Sequence, residues 1–317
     1  GPSYDVIIKN GTIYDGSGTA GQVLDIAILG DKIAKIAPGI EGNSREVIDA
    51  SGMAVSPGFI DLHTHLEPLP LDPGAASHVR QGVTLALGGP DGSAPMPLAA
   101  YMDSLEKITI GINVAYLTGH NTVRREVMGL VDRDPDAEEL EKMKALIEQG
   151  MKDGAFGIST GLKYLPGTYS KVEEVIELSK VAAGYGGIYT SHLREEGLNL
   201  LDGVNEAIKI AEEATIPVVL THHKVVGFPM WGSSTKTLAL VDEANVRGLD
   251  IMIDQYPYTA SHTSISIIIP SWALEGDPVA EFTQRCQDAT LREKIKEEII
   301  FNLINDRGGN DLKRVQF

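Results

Sequence analysis

Seven apolar runs after Pro57-Gly58 constrain the fold of this chain more than any other feature. The runs do not alternate between apolar and polar residues, and segments with helical spacing separate them. Such runs are typical of parallel strands covered on both faces, because helices then shield both sides of the sheet. The runs are Phe59–His63, Val83–Gly88, Ile112–Leu117, Ala155–Ser159, Gly187–Ser191, Pro217–Thr221 and Asp250–Asp254.

Helical segments connect several of these runs. Asp136–Gln149 carries apolar residues at helical spacing with acidic residues in its first turn, and Leu201–Ala214 and Ser234–Arg247 have similar patterns. Seven strand–helix units in one direction predict the α/β class and a (β/α)8 TIM-like barrel. An open doubly wound sheet is the alternative, because strand closure is not visible in a sequence.

The eighth strand of such a barrel is not evident in this chain. Residues 278–306 look helical, and the sequence reaches Arg314-Val315-Gln316-Phe317, where another apolar strand would begin. We therefore expect the natural protein to continue, either as a further segment or as a separate chain. The expected barrel domain, residues 57–317, is then incomplete at its C-terminal side.

Residues 1–56 are predicted to form a small β-sheet domain, the β-sandwich portion of the chain. Its expected strands are Tyr4–Lys9, Gln22–Ile28 and Lys32–Ile36, and turn-forming Asn, Asp and Gly residues separate them.

Charge and cysteine content exclude several classes of protein. Lys and Arg number 27 against 44 Asp and Glu, which gives a net charge of −17. An acidic surface repels nucleic acid and anionic membranes, so neither is an expected partner. Cys286 is the single cysteine, which excludes an internal disulfide framework and a cysteine-rich zinc module. A reducing compartment is favoured, and cytoplasmic is the expected location.

Histidines follow three of the apolar runs directly. His63 and His65 are two residues apart and can point to one face of a strand, while His192 and His222 follow two other runs. In a parallel barrel the carboxyl ends of the strands meet at one face. Four imidazoles there predict a site for one or two divalent ions, with Zn expected and Mn, Co or Fe as alternatives.

Several motifs resemble one family of metal-dependent hydrolases. Residues 57–65, Pro-Gly-Phe-Ile-Asp-Leu-His-Thr-His, resemble the amidohydrolase superfamily. Other stretches resemble its D-aminoacylase (N-acyl-D-amino-acid deacylase) family: Arg80-Gln81-Gly82-Val83-Thr84, residues 159–167, Ser191-His192-Leu193-Arg194-Glu195-Glu196, His222-His223-Lys224 and Asp254-Gln255-Tyr256-Pro257-Tyr258.

The resemblance implies a ligand set. His63 and His65 would bind a more exposed metal, and His192 and His222 a more buried one. His222 is preferred to His223 because adjacent strand residues face opposite sides. The family usually has a bridging cysteine after the second strand, where this chain has Asp91.

A carboxylate can bridge two ions as a thiolate does, so Asp91 is the expected substitute. Pro-Asp-Gly is also an ordinary turn sequence, and Glu67 is a weaker substitute.

The family's general base is an aspartate after the eighth strand, and no residue of this chain takes that position. The catalytic residue is thus unknown, and the base is expected beyond residue 317. Asp254 follows the seventh run and is expected to organise the turn around Tyr256 and Tyr258.

Four residues are candidates for substrate binding. Lys224 and Arg194 are cations that suit a carboxylate, although Arg194 could equally form a structural ion pair with Glu195 or Glu196, which follow it. Tyr164 and Tyr258 could donate hydrogen bonds to a carboxylate or a developing oxyanion, or could serve only in packing.

The resemblance implies an enzyme that hydrolyses small N-acyl-D-amino acids to a carboxylate and a D-amino acid, with metal-activated water as the nucleophile. A homo-oligomer is expected by analogy. One alternative is a cyclic amidase or dipeptidase of the superfamily, which generally uses a carboxylated lysine on the fourth strand. The fourth strand is expected to end in Ser159-Thr160-Gly161, and Lys163 lies two residues beyond Gly161, which argues against this alternative. A non-catalytic scaffold relative is the other alternative.

Overall fold

The computed structural model describes residues 3–309 and 311. The chain divides into two compact units, Gly1–Phe59 and Ile60–Phe317. The segment Arg314–Phe317, where an eighth strand was expected to begin, lies outside the described residues.

The first unit contains one five-stranded sheet. Its strands are β1 (Ser3–Ile13), β2 (Gln22–Leu29), β3 (Lys32–Ala37), β4 (Asn43–Asp49) and β5 (Ala54–Val55). The order is β3-β2-β1-β4, and β5 also pairs with β1. The β1–β2 and β2–β3 pairs are antiparallel, whereas β4 and β5 run parallel to β1. The three strands predicted from sequence lie within β1, β2 and β3, and β4 and β5 were missed.

The second unit contains eight short strands in the described residues, and seven of them overlap the seven apolar runs. They form two sheets, β6-β7-β8 and β13-β12-β11-β10-β9, in which the neighbours from β9 to β13 are parallel, as are β7 and β8. This parallel α/β organisation confirms the predicted class, while a closed eight-stranded barrel stays a prediction. The strands are β6 (Phe59–Asp61), β7 (Val83–Gly88), β8 (Asn113–Tyr116), β9 (Thr118–Gly119), β10 (Gly157–Gly161), β11 (Ile188–His192), β12 (Val218–Leu220) and β13 (Ile251–Ile253).

Helices occupy most of the segments between these strands. They are α1 (Ala76–Val79), α2 (Leu98–Leu105), α3 (His120–Met128), α4 (Ala137–Lys152), α5 (Val172–Gly184), α6 (Leu200–Ala214), α7 (Ser234–Val246), α8 (Ala280–Gln287) and α9 (Ala289–Asn305). The three predicted helices correspond to α4, α6 and α7, and residues 278–306 are largely helical, as expected. None of the helices within the described ranges is long and apolar enough to cross a membrane.

Helix α4 shows how local sequence sets an element. The Asp136 side chain accepts a hydrogen bond from the Glu139 backbone N at 2.9 Å, and the Glu139 carboxylate accepts one from the Asp136 backbone N at 2.9 Å. This capping box satisfies backbone donors at the helix start. Met143 and Ile147, one turn apart, are buried, so the helix packs its apolar stripe into the core.

The strand ends place the histidines predicted from sequence. His192 is the last residue of β11, and His222 follows β12 by two residues. His63 follows β6 by two residues, and Asp254 comes directly after β13. Because parallel strands end at the same edge of their sheet, these side chains are carried toward one face.

Candidate metal centre

A tight loop after β7 presents Asp91. Asp91 has φ of 54°, in the left-handed region that Asp and Asn tolerate best among residues with a Cβ. Ser159 Oγ donates to the Gly89 carbonyl at 2.6 Å and accepts from the Gly92 backbone N at 3.1 Å. A Cβ at Gly92 would lie 2.0 Å from Asn121 Oδ1, so only glycine fits there. The loop is therefore held on both sides of Asp91.

The Asp91 carboxylate lies among four imidazoles, two on each oxygen. Its Oδ2 is 3.4 Å from His63 Nε2 and 3.2 Å from His65 Nε2. Its Oδ1 is 3.7 Å from His192 Nδ1 and 3.4 Å from His222 Nε2. We call these five residues the Asp91 cluster. One carboxylate oxygen per histidine pair is the arrangement that a carboxylate bridging two ions requires.

Buried atoms of the cluster without hydrogen-bond partners suggest that it is built for a ligand. They are His63 Nδ1, Asp91 Oδ1 and His192 Nε2. Two groups of side chains have ligand atoms within 4.8 Å of one another: His63, Asp91 and His222, and His192, Glu196 and His222. Buried polar atoms are normally paired, and imidazole with carboxylate is a donor set that suits zinc and similar ions. The residues therefore fit a divalent metal.

His222 is held in an unusual backbone conformation. Its φ of 40° is in the left-handed region, which costs free energy for a residue with a Cβ. Its backbone N donates to Asp254 Oδ1, and its Nε2 lies 2.7 Å from His192 Nδ1. Strained residues of this kind cluster at functional sites because the surrounding contacts hold them.

Burial and neighbouring charge shift the pKa values of this cluster in opposite directions. Burial disfavours charge on His222, but contacts with Asp91 and Glu196 outweigh it and raise the pKa of His222 to about 9. Burial lowers the pKa of His192 despite the nearby carboxylates. Burial alone would raise the pKa of Asp91, yet the surrounding imidazoles hold it well below its usual value. The cluster thus keeps the Asp91 carboxylate ionised and the His222 imidazole charged at neutral pH.

Glu196, which the sequence analysis considered only as an ion-pair partner of Arg194, lies beside the cluster instead. It is buried, and its Oε1 accepts from Lys224 Nζ at 2.6 Å. Lys224 Nζ also lies 2.9 Å from His222 Nδ1 and 5.9 Å from the centre of the Tyr256 ring. Lys224 is therefore next to the cluster, and Tyr256 is a neighbour that the sequence analysis assigned only to a turn.

The remaining substrate-binding candidates have different surroundings. The Tyr164 ring packs 4.5 Å from the His192 ring, its hydroxyl is 3.2 Å from Thr263 Oγ1, and burial raises the pKa of Tyr164 to about 12. Tyr258 is 73% exposed and stacks on Tyr256.

Arg194 is engaged in an ion pair. Its guanidinium Nε lies 3.1 and 3.0 Å from the two carboxylate oxygens of Glu206, and its Nη2 donates to the same carboxylate at 2.9 Å. The positive charge of Arg194 is therefore paired with the carboxylate of Glu206.

The side chains considered as alternatives lie at the edge of the cluster or outside it. His223 is buried and its Nε2 lies 2.8 Å from Thr237 Oγ1, on α7. Glu67 is largely exposed and 3.7 Å from His65 Nδ1. Asp254 Oδ2 is 4.0 Å from His63 Nδ1, and burial raises the pKa of Asp254. His222, and not its neighbour His223, faces Asp91.

A parallel α/β unit with several imidazoles and a carboxylate at its strand ends is the arrangement of many metal-binding hydrolases. The amidohydrolase family model matches residues 46–295, and the chain belongs to this family. It is 35% identical to the D-aminoacylase of Alcaligenes xylosoxydans xylosoxydans over 290 residues, which cover 83% of this chain and 59% of that protein.

Two further relatives carry related names. The N-acyl-D-glutamate deacylase of Alcaligenes xylosoxydans xylosoxydans is 34% identical over 87% of this chain and 60% of its own length. The crystal structure of the N-acyl-D-glutamate deacylase from Bordetella bronchiseptica, with zinc and a phosphonate inhibitor, superposes with a TM-score of 0.77 at 32% identity, covering 81% of this chain and 59% of that chain. The chain thus spans about three fifths of the relatives it matches.

Proposed function

We propose that this chain carries the metal centre of an amide hydrolase that cleaves N-acyl-D-amino acids to a carboxylate and a D-amino acid. The observation that carries the proposal is the convergence of four imidazoles from three separate strand ends on the Asp91 carboxylate. The D-aminoacylase and N-acyl-D-glutamate deacylase relatives support the substrate class. The zinc in the Bordetella bronchiseptica structure supports zinc as the metal.

His63, His65, Asp91, His192 and His222 would hold one or two ions. A bound divalent ion polarises a carbonyl and lowers the pKa of water, which an amide needs because it is a poor electrophile. Asp91 contributes negative charge that offsets the ions and keeps the two histidine pairs at a fixed separation. The general base expected after an eighth strand has no counterpart in residues 3–309 and 311 and stays a prediction.

Lys224 is the residue we propose for the substrate carboxylate. A chain with a net charge of −17 repels anions, so an anionic substrate needs a local cation at the site. Lys224 is adjacent to the metal cluster and contacts Glu196 and His222. Tyr164 packs on His192, and its hydroxyl, which like any tyrosine hydroxyl is protonated at neutral pH, can donate a hydrogen bond.

The contacts of Lys163 argue against the cyclic-amidase alternative. Its Nζ lies 3.0 Å from Asp306 Oδ2 and 3.7 Å from Glu195 Oε2. An ammonium paired with two carboxylates is not available as a carboxylated bridge between ions. The unpartnered buried atoms of the Asp91 cluster argue against a scaffold, because such atoms cost free energy unless a ligand pairs them.

Metal analysis combined with a stereochemical substrate screen tests the proposal. The protein is stripped with a chelator, reloaded with zinc and dialysed, and we expect one to two equivalents of bound zinc. His192→Ala should retain less zinc than the unmodified protein after dialysis, whereas His78→Ala, which changes a histidine on α1, should retain as much. Hydrolysis of N-acetyl-D-amino acids over their L enantiomers supports the substrate class. Absence of stoichiometric zinc in the unmodified protein contradicts the proposal.

A further inference from the structure

Each imidazole of the Asp91 cluster lies between two carboxylates. One ring nitrogen faces Asp91, and the other faces a carboxylate on the outer side of the ring. The outer contacts are His63 Nδ1 with Asp254 at 4.0 Å, His65 Nδ1 with Glu67 at 3.7 Å, His192 Nε2 with Glu196 at 3.5 Å and His222 Nδ1 with Glu196 at 3.3 Å.

Glu196 differs from the other outer carboxylates in two respects. It serves two imidazoles, since Oε2 faces His192 and Oε1 faces His222. It is also buried, whereas Glu67 is largely exposed. A buried carboxylate interacts more strongly with its neighbours because solvent does not screen it.

We propose that Glu196 is a positioning residue that selects which ring nitrogens of His192 and His222 are available to a metal. A histidine that binds metal through one nitrogen carries hydrogen on the other, and a carboxylate that accepts this hydrogen fixes the ring orientation. Glu196 lies 3.5 Å from His192 Nε2 and 3.3 Å from His222 Nδ1, where it can accept their ring hydrogens, and this would leave His192 Nδ1 and His222 Nε2, both facing Asp91, for the ion. The inference rests on the metal site proposed above.

The position of Lys224 explains why a carboxylate is needed beside His222. Its ammonium lies 2.9 Å from His222 Nδ1 and can donate to that nitrogen, which would place the ring hydrogen on Nε2. That hydrogen would point toward His192 Nδ1, 2.7 Å away, and would block both metal-facing nitrogens. Glu196 accepts from Lys224 at 2.6 Å, so the carboxylate draws the ammonium to itself. Removing the negative charge of Glu196 should favour the blocked arrangement.

The geometry allows one competing role, in which Glu196 itself binds an ion together with His192 Nε2 and His222 Nδ1. The two roles use opposite nitrogens of the same rings. The identity of the coordinating nitrogen therefore separates them without any measurement of activity.

The first experiment is NMR of the ¹⁵N-histidine-labelled chain loaded with ¹¹³Cd. We expect metal coupling at His192 Nδ1 and His222 Nε2, with hydrogen on the opposite nitrogens. Coupling at His192 Nε2 and His222 Nδ1 overturns the proposal and makes Glu196 a ligand.

The second experiment compares zinc affinity in Glu196→Gln and Glu195→Gln. Glu195 is the adjacent acid, and it faces Lys163 rather than the imidazoles. We expect Glu196→Gln to raise the zinc dissociation constant about 10- to 100-fold with unchanged stoichiometry at saturating zinc, and Glu195→Gln to change it less than about threefold. Thermal unfolding of both variants checks that they fold. The ring-hydrogen positions of His192 and His222 are also measured in Glu196→Gln, because they would not change if Glu196 served only in packing.

The outcomes separate this inference from the proposed function. If the unmodified chain binds no metal, the proposed metal site itself is wrong. If the unmodified chain binds zinc and Glu196→Gln binds it equally well with the same ring-hydrogen positions, only the role of Glu196 is wrong.

Discussion

Two histidine–carboxylate clusters lie in the same α/β unit, and their hydrogen bonding differs. In the first, which we call the Glu174 cluster (His120, Arg124 and Glu174), His120 Nε2 lies 2.7 Å from Glu174 Oε1 and Arg124 Nη1 pairs with Glu174 Oε2. In the Asp91 cluster the carboxylate–imidazole distances are 3.2–3.7 Å. The side chains of the Glu174 cluster bind one another directly. Those of the Asp91 cluster are far enough apart for a metal ion to lie between the carboxylate and the imidazoles.

The unpartnered atoms give the same contrast. Within the described residues, Arg124 Nε is the one buried side-chain atom of the Glu174 cluster without a hydrogen-bond partner. Within the same described residues the Asp91 cluster has three, which are His63 Nδ1, Asp91 Oδ1 and His192 Nε2. A buried histidine at a strand end is therefore a poor indicator of function by itself. Its remaining hydrogen-bonding capacity separates a structural role from a ligand-binding one.

The largest expected effect is a decrease in the free energy of unfolding when the Glu174 cluster is broken. Glu174→Ala leaves the fully buried Arg124 without its carboxylate, and a buried charge without a partner destabilises a protein by about 3–5 kcal/mol. Urea denaturation measures the change. The matched control is Glu173→Ala, whose exposed carboxylate pairs with Lys209 at the surface, and we expect a change within about 0.5 kcal/mol. Equal stabilities of the two variants would show that the Glu174 cluster is not a stabilising element.

The next effect is on metal binding, in the Asp91 cluster. Asp91→Asn keeps a residue that tolerates φ of 54°, but it removes the charge between the two histidine pairs. We expect zinc affinity to fall at least about 100-fold, or about 2.7 kcal/mol, with a smaller loss of stability than in Glu174→Ala. Asp91→Cys should restore part of the affinity, because a thiolate can also bridge. Retained zinc affinity in Asp91→Asn would exclude a bridging role.

A smaller difference is expected between the two histidine pairs. The His192 side chain is 5% exposed and that of His65 is 57% exposed. We expect His192→Ala to weaken zinc binding about 100-fold and His65→Ala about tenfold, because the buried imidazole acts where solvent does not compete. Titration calorimetry of the two variants measures both values. The reverse order would place the tighter ion at the exposed pair.

The sequence predicted the strands well because the signal was local. Each of the seven apolar runs contains strand residues, since uninterrupted burial on both faces needs uninterrupted apolar side chains. The third run contains β8 alone, and the two-residue strand β9 follows it after Leu117, outside the run, where apolar content gives no signal. In the first unit, β4 was missed because its residues Asn43–Asp49 are mostly polar and exposed.

The cluster was predictable for a different reason. Histidine directly after an apolar run is a positional signal, and the parallel arrangement carries such residues to one edge. The role of Glu196 was not predictable, because its contacts with His222 and Lys224 depend on how two loops pack. The partner of Arg194 was not predicted for the same reason. It is Glu206 on α6, whereas the acids adjacent in the sequence are Glu195 and Glu196.

The Glu174 cluster should also make the stability of the protein depend on pH. Burial would raise the pKa of Glu174, but His120 and Arg124 outweigh it and lower this pKa. A carboxyl group with a lowered pKa in the folded state contributes stability above its unfolded value, near 4.5, that is lost as the pH falls through the folded value. Urea denaturation between neutral and acidic pH should therefore show a loss of stability that is smaller in Glu174→Gln. An equal loss in both proteins would assign the acid sensitivity to other groups.

The smallest expected effect is the pH dependence of metal affinity. The pKa of His222 is raised to about 9, so this imidazole holds a proton at neutral pH that zinc must displace, whereas the lowered pKa of His192 leaves that ring neutral. Zinc affinity should rise about tenfold per pH unit below pH 9, or about 1.4 kcal/mol per unit, with about one proton released. Calorimetry in buffers of different ionisation enthalpy counts that proton. Since Glu196 helps to raise the pKa of His222, Glu196→Gln should make the dependence level off at a lower pH. A flat profile in the unmodified protein would mean that His222 is already neutral and releases no proton when zinc binds.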